Sequence, residues 1–126
     1  MTRILVMDDD ALLRAAIRVA LEAAGYDVLE AADGDVGLRL YHEHGADLVL
    51  VDIFMPNRDG LEVIRDLRAA RPQLKILAVS GGGQTGQIEI LKAATALGAS
   101  RTLRKPFEPR HLLSAIRDLL EEAVPP

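Results

Sequence analysis

Short apolar runs alternate along the chain with longer stretches in which apolar residues recur every three or four positions. The runs are RILVM (3–7), DVLEA (27–31), ADLVLVD (46–52), LKILAVS (74–80) and SRTLRK (100–105). Each has strand length and predicts a strand. The first, third and fourth are almost continuously aliphatic, which suits central strands covered on both faces. The second and fifth carry more polar residues and suit edges.

The intervening stretches read as helices. Residues 11–24 place Leu12, Leu13, Ile17, Ala20, Leu21 and Ala24 on one stripe, with Asp10 available as N-cap and Gly25 at the end. Residues 35–44 form a second helix, weakened by Gly37. GLEVIRDLRAA (60–70) aligns Leu61, Ile64 and Leu67, and residues 87–97 form a fourth helix. In the last helix Pro109 takes the first helical position, and Leu112, Leu113, Ile116, Leu119 and Leu120 form the apolar face.

This alternation predicts an α/β fold: a doubly wound parallel sheet of five strands with helices on both faces. Such folds bind ligands outside the carboxyl ends of their strands. If the strand order is 2-1-3-4-5, the first and third strands are neighbours. Asp8, Asp9 and Asp52 then converge on one pocket, with Ser80 and Lys105 on its other side.

Composition narrows the chemistry. The chain has 126 residues, enough for one domain, and 49% of them are hydrophobic. There is no cysteine, so neither disulfides nor thiolate metal ligands are available. The net charge of -4 argues against a broad nucleic-acid surface. No apolar segment is long enough to span a membrane, and the expected setting is cytoplasmic, with no membrane or direct nucleic-acid partner. Clustered carboxylates repel one another unless a cation neutralises them. An oxygen-only ligand set points to a hard ion such as Mg²⁺. Asp10 is read instead as a helix cap. His42 and His44 stand two apart on a helix and make a poor metal pair, while Arg65, Arg68 and Arg71 read as a solvated helix face.

Gly81, Gly83 and Gly86 spell G-x-G-x-x-G after the fourth strand. A dinucleotide fingerprint follows the first strand of its unit and has an acid about twenty residues on. Here that distance falls in SRTLRKPF, which contains no acid. The P-loop lysine is also missing, since Gln87 follows Gly86. The glycines are read as giving this loop freedom to move.

The set VMDDD, VDIFMPNRDG, AVS, GAS and RKPF resembles the receiver domain of two-component response regulators, over about residues 2–122. The motifs lie on four strands in the right order. The resemblance implies a flavodoxin-like fold with strand order 2-1-3-4-5. The expected organisation is a single receiver domain over residues 1–126, with no output domain. The resemblance implies that Asp52 accepts a phosphoryl group from a phosphohistidine, with Lys105 and Ser80 contacting the transferred group. Mg²⁺ would be held by Asp9, Asp52 and the backbone carbonyl of Phe54 directly, and by Asp8 through water. A cis bond is expected at Lys105–Pro106. Implied partners are a sensor histidine kinase or phosphotransfer protein, and a downstream target on the face of the fourth helix, fifth strand and fifth helix. The family usually has an aromatic switch residue three positions before the lysine, where this chain has Thr102.

Two other readings remain open from sequence. In a haloacid-dehalogenase-like phosphohydrolase, Asp8 would be the nucleophile and Asp10 the acid, leaving Asp52 idle. A receiver can also serve mainly as a relay that passes phosphoryl groups onward.

Overall fold

The computed structural model describes residues 1–81 and 87–122. Its elements follow the predicted alternation: β1 (Arg3–Met7), α1 (Ala11–Ala23), β2 (Asp27–Ala31), α2 (Gly34–His44), β3 (Leu48–Asp52), α3 (Gly60–Ala70), β4 (Lys75–Ser80), α4 (Gln87–Leu97), β5 (Arg101–Arg104) and α5 (Pro109–Glu121). All strand pairs are parallel, in the order β2-β1-β3-β4-β5. The two polar strands are the edges, as their composition requires.

Strand side chains alternate between the faces, and this divides the core in two. Ile4, Val6, Leu48, Leu50, Leu77 and Val79 pack with Ile17 and Leu21 of α1 and Leu112, Ile116 and Leu119 of α5. Leu5, Met7, Val49, Val51, Ile76 and Ala78 pack with Tyr41 of α2, Val63, Ile64 and Leu67 of α3 and Ala94 of α4. Both clusters are buried, so the aliphatic residues of the central strands are covered on both faces of the sheet.

The caps form as the sequence requires. The Asp10 side chain accepts from the amides of Leu12 and Leu13, and Gly25 has φ 95° just past α1. One position on α1 and its C-cap depart from expectation. Leu12 is 85% exposed, and Ala24 is exposed as well. The buried stripe is narrower than the sequence pattern, with its fully buried members at Ile17 and Leu21. Gly37 is not merely a weak spot in α2. A Cβ there would overlap the Met7 side chain, so glycine is what lets α2 approach β1.

Arg68 corrects the reading of a solvated basic face on α3. Its guanidinium is partly buried and donates to the carbonyl of Gly98 at 2.7 and 3.0 Å, and to those of Arg71 and Pro72. It therefore satisfies carbonyls left over at the ends of α3 and α4. Burial lowers its pKa from the ordinary arginine value. Arg65, by contrast, is exposed beside Glu62 and Asp66.

Candidate phosphoacceptor site

Strand alternation also decides which polar residues converge. Asp8 follows β1 in the same phase as Ile4 and Val6, and Asp52 ends β3 in phase with Leu48 and Leu50. Lys105 follows β5 in phase with Leu103, which packs on that same cluster. The three side chains thus leave the sheet towards the α1 and α5 side, at the carboxyl ends of β1, β3 and β5. Ser80 ends β4 in the opposite phase, with Ile76 and Ala78.

Asp8 and Ser80 are fully buried, and Asp52 is 4% exposed. Asp9 stands at the surface beside them. The carboxylates of Asp8, Asp9 and Asp52 each bring an oxygen within 4.8 Å of the others. Among the described residues this is the one group of potential metal ligands, and it excludes His42 and His44. Three converging carboxylates with no nitrogen or sulfur donor match the preference of a hard divalent ion, so the residues present fit Mg²⁺.

One cation already faces this cluster. Lys105 Nζ lies 2.9 Å from Asp8 Oδ2 and 3.4 Å from Asp52 Oδ2. Lys105 thus pairs with both carboxylates, and its shorter contact is to Asp8. Burial alone would lower the Lys105 pKa, but the two carboxylates outweigh it and hold it above the ordinary lysine value. For Asp52 the balance runs the other way. Burial dominates, the Asp8 charge adds to it, and Lys105 opposes them only in part, so the carboxyl is pushed up to about 6. Asp52 is mostly ionised at neutral pH and poorly neutralised by the protein itself.

The flanking loops hold these groups in place. Asp8 Oδ1 accepts from the Asp10 amide, and the Arg14 guanidinium donates to the Asp8 carbonyl at 2.7 Å while pairing with Glu30. The Phe54 amide donates to Asp52 Oδ1 at 3.3 Å, and the Phe54 side chain is half exposed at the surface. The Lys105 amide donates to the Ser80 carbonyl, tying the β5 end to the β4 end. The Lys105–Pro106 bond is cis, as expected. Gly81 lies against Lys105, where a Cβ would come within 3.0 Å of its Cδ. Gly83 and Gly86, and with them the loop expected to move, lie outside the described residues.

Thr102 sits on β5 opposite Ala78. With Ile88, Leu91, Lys92 and Thr95 of α4 it lines a shallow cavity of about 300 Å³. Two further features of the site were not read from sequence. These are the contact of Arg14 with the Asp8 carbonyl and the ion pairs of Arg58, which links the β3–α3 loop to Asp35, Glu62 and Asp66. The Arg58–Glu62 spacing of four residues was a visible signal; the Asp35 contact was not, because it needs the sheet to bring two helices together.

The comparisons with known proteins agree with this geometry. The response regulator receiver domain model matches residues 4–117. The chain is 34% identical over 122 residues to the transcriptional regulatory protein ResD of Bacillus subtilis, covering 97% of this chain and 49% of ResD. It is 38% identical over 117 residues to protein CcdB of the same organism, covering 92% of this chain and 95% of CcdB. To the response regulator MprA of Mycolicibacterium vanbaalenii it is 38% identical, covering 98% of this chain and 52% of MprA. The chain thus spans about half the length of ResD and MprA. A CheY-like receiver domain from Methanospirillum hungatei superposes with a TM-score of 0.89 at 31% identity, covering 96% of this chain and 94% of that one. No helix among the described residues is long and apolar enough to cross a membrane. Fold, strand-end chemistry and relatives agree on a signalling domain of two-component systems, not a catalytic enzyme family: the chain belongs to the response regulator receiver domains.

Proposed function

We propose that Asp52 is the phosphoacceptor of this receiver domain, and that Lys105, Ser80 and a Mg²⁺ ion bound by Asp8, Asp9 and Asp52 assist the transfer. One observation carries this reading. Asp52 is the buried carboxylate that ends the central strand β3, faces Lys105 at 3.4 Å and shares a three-carboxylate cluster with Asp8 and Asp9.

The chemistry follows from the charges. A carboxylate oxygen of Asp52 forms a bond to phosphorus as the P–N bond of a phosphohistidine on the partner breaks. The bonding electrons return to the imidazole, which takes up a solvent proton. A bound divalent ion would supply charge neutralisation for the phosphoryl oxygens and the carboxylates. The Phe54 carbonyl is the proposed third direct protein ligand beside Asp9 and Asp52, with Asp8 acting through water. Lys105 stands between Asp8 and Asp52, where its ammonium meets a phosphoryl oxygen once Asp52 is esterified. The Ser80 hydroxyl, at the end of the next strand, would donate to another.

The partner supplying the group is a histidine kinase or a phosphotransfer protein. The switch acts on a downstream protein through the surface of α4, β5 and α5, with Thr102 in the place of the usual aromatic. CcdB and the methanogen domain, which the chain covers almost end to end, support a receiver that works as a single module over residues 1–126.

Incubation with acetyl phosphate and Mg²⁺ tests the assignment by intact mass and peptide mapping. One acid-stable, base-labile phosphoryl group on Asp52 is expected, lost in Asp52→Asn. A label on Asp8 would instead support phosphohydrolase chemistry.

A further inference from the structure

The loop between β3 and α3 carries Phe54, and it is closed at its neck by the Gly60 amide donating to the Ile53 carbonyl at 2.8 Å. Its outer end is held from two helices. Arg58 Nε donates to Asp35 Oδ1 at 2.9 Å, in the first turn of α2. Arg58 Nη1 donates to Glu62 at 3.2 Å and to Asp66 at 2.9 Å, both on α3. Beside it the Asn57 side chain donates to Asp33, whose other oxygen caps α2. The contact extends to the backbone: a Cβ on Gly34 would come within 2.7 Å of the Arg58 carbonyl.

A lone exposed ion pair is worth little. Here a single guanidinium serves three carboxylates on two helices. Its planar fork of donors holds several directions at once, which an ammonium on a flexible stem does not. The arrangement spends a positive charge on fixing a loop, close to a site that itself needs a cation.

We propose that Arg58 is a positioning residue for the acceptor site: by bracing the β3–α3 loop against α2 and α3, it holds the Phe54 carbonyl where a divalent ion on Asp52 can use it. This rests on the acceptor-site reading above. It makes the N-terminal turn of α2 part of the support of the site, although no residue of α2 reaches the carboxylate cluster.

Charge and positioning predict opposite signs, which makes the idea testable. If Arg58 acted only as a nearby positive charge, Arg58→Met would tighten Mg²⁺ binding and Arg58→Lys would leave it unchanged. A brace predicts weaker binding in both, by about tenfold, the scale on which groups that orient metal ligands act. Calorimetric Mg²⁺ titration of the unphosphorylated protein reads this directly. Arg3→Met is the control, since it removes the Arg3–Asp27 pair at the opposite end of the sheet. Amide exchange in EDTA provides a metal-free readout: both Arg58 variants should speed exchange at Phe54 and Gly60, and Arg3→Met should not. If Arg58→Met does not fold, Asp35→Asn removes one arm of the brace and should speed amide exchange at Phe54 and Gly60 in EDTA, which loss of a charge alone would not do. Parent-like Mg²⁺ affinity in Arg58→Lys, or tighter binding in Arg58→Met, overturns the brace alone. A parent protein that binds no Mg²⁺ overturns the acceptor-site reading as well.

Discussion

Lys105 Nζ sits closer to Asp8 than to Asp52, at 2.9 against 3.4 Å. The ammonium is therefore shared, and both carboxylates it serves are buried. Removing one partner of a buried pair leaves charge without compensation. Lys105→Met should destabilise the protein in EDTA at pH 7 to 8 by roughly 1–3 kcal/mol. The Lys105 pKa is raised on folding, so its contribution is present below the ordinary lysine value and fades only as pH rises through the raised one. Below pH 6 the loss in the variant should shrink, because Asp52 then takes up a proton. Urea unfolding at both pH values checks this; an equal loss at pH 5 and pH 8 would contradict it.

The Asp52 pKa is also raised on folding, but for a carboxyl this penalises the charged form present at neutral pH. Its pKa rises from 3.8 to about 6 on folding, so the folded state binds more protons than the unfolded state across that interval. Stability in EDTA then falls as pH rises through that interval, by at most about 3 kcal/mol at 1.36 kcal/mol per pKa unit. Asp52→Asn should remove this fall and be more stable than the parent at pH 7. Parallel pH–stability curves for the two proteins would refute the shift.

Asp9 differs from its neighbours in being exposed, so it can gain or lose an ion without repacking the core. Asp9→Ala removes one of three mutually repelling carboxylates. It should melt slightly higher than the parent in EDTA and lose most of the stabilisation that Mg²⁺ gives the parent by binding the folded state. Differential scanning fluorimetry with and without Mg²⁺ measures both. Equal Mg²⁺ shifts in the two proteins would remove Asp9 from the ligand set.

Phe54 is 51% exposed, two residues after the proposed acceptor, and its amide contacts Asp52. Its ring has no polar group with which to orient a hydrolytic water. Phe54→Asn supplies one and should shorten the lifetime of the phosphorylated form several-fold while leaving the melting temperature nearly unchanged. Loss of phosphoryl label over time gives the rate, and an unchanged or slower decay would exclude this role.

Element order, edge strands and capping residues were all legible in the chain, because each depends on local spacing and local hydrogen bonds. Continuous aliphatic runs at 3–7, 46–52 and 74–80 can be satisfied only as strands covered twice, and Asp10 caps its own helix two and three residues on. The identity of the pocket residues was legible for a similar reason. Strand ends of one parallel sheet must meet on one side, so Asp8, Asp9, Asp52, Ser80 and Lys105 had to lie near one another. What tertiary structure alone decided is which of them touch, and how closely. Lys105 leans to Asp8 through packing at the sheet end that no spacing encodes. Gly60 looks like an ordinary helix start, yet a Cβ there would strike the backbone of Asp52 and Ile53. Arg58 and Arg68 have the same sequence character as exposed Arg65, and they differ only in what the fold brings within reach. A local pattern determines the conformation of its own segment; the partner of a long side chain depends on residues 23 or 30 positions away, and only the assembled sheet sets that distance.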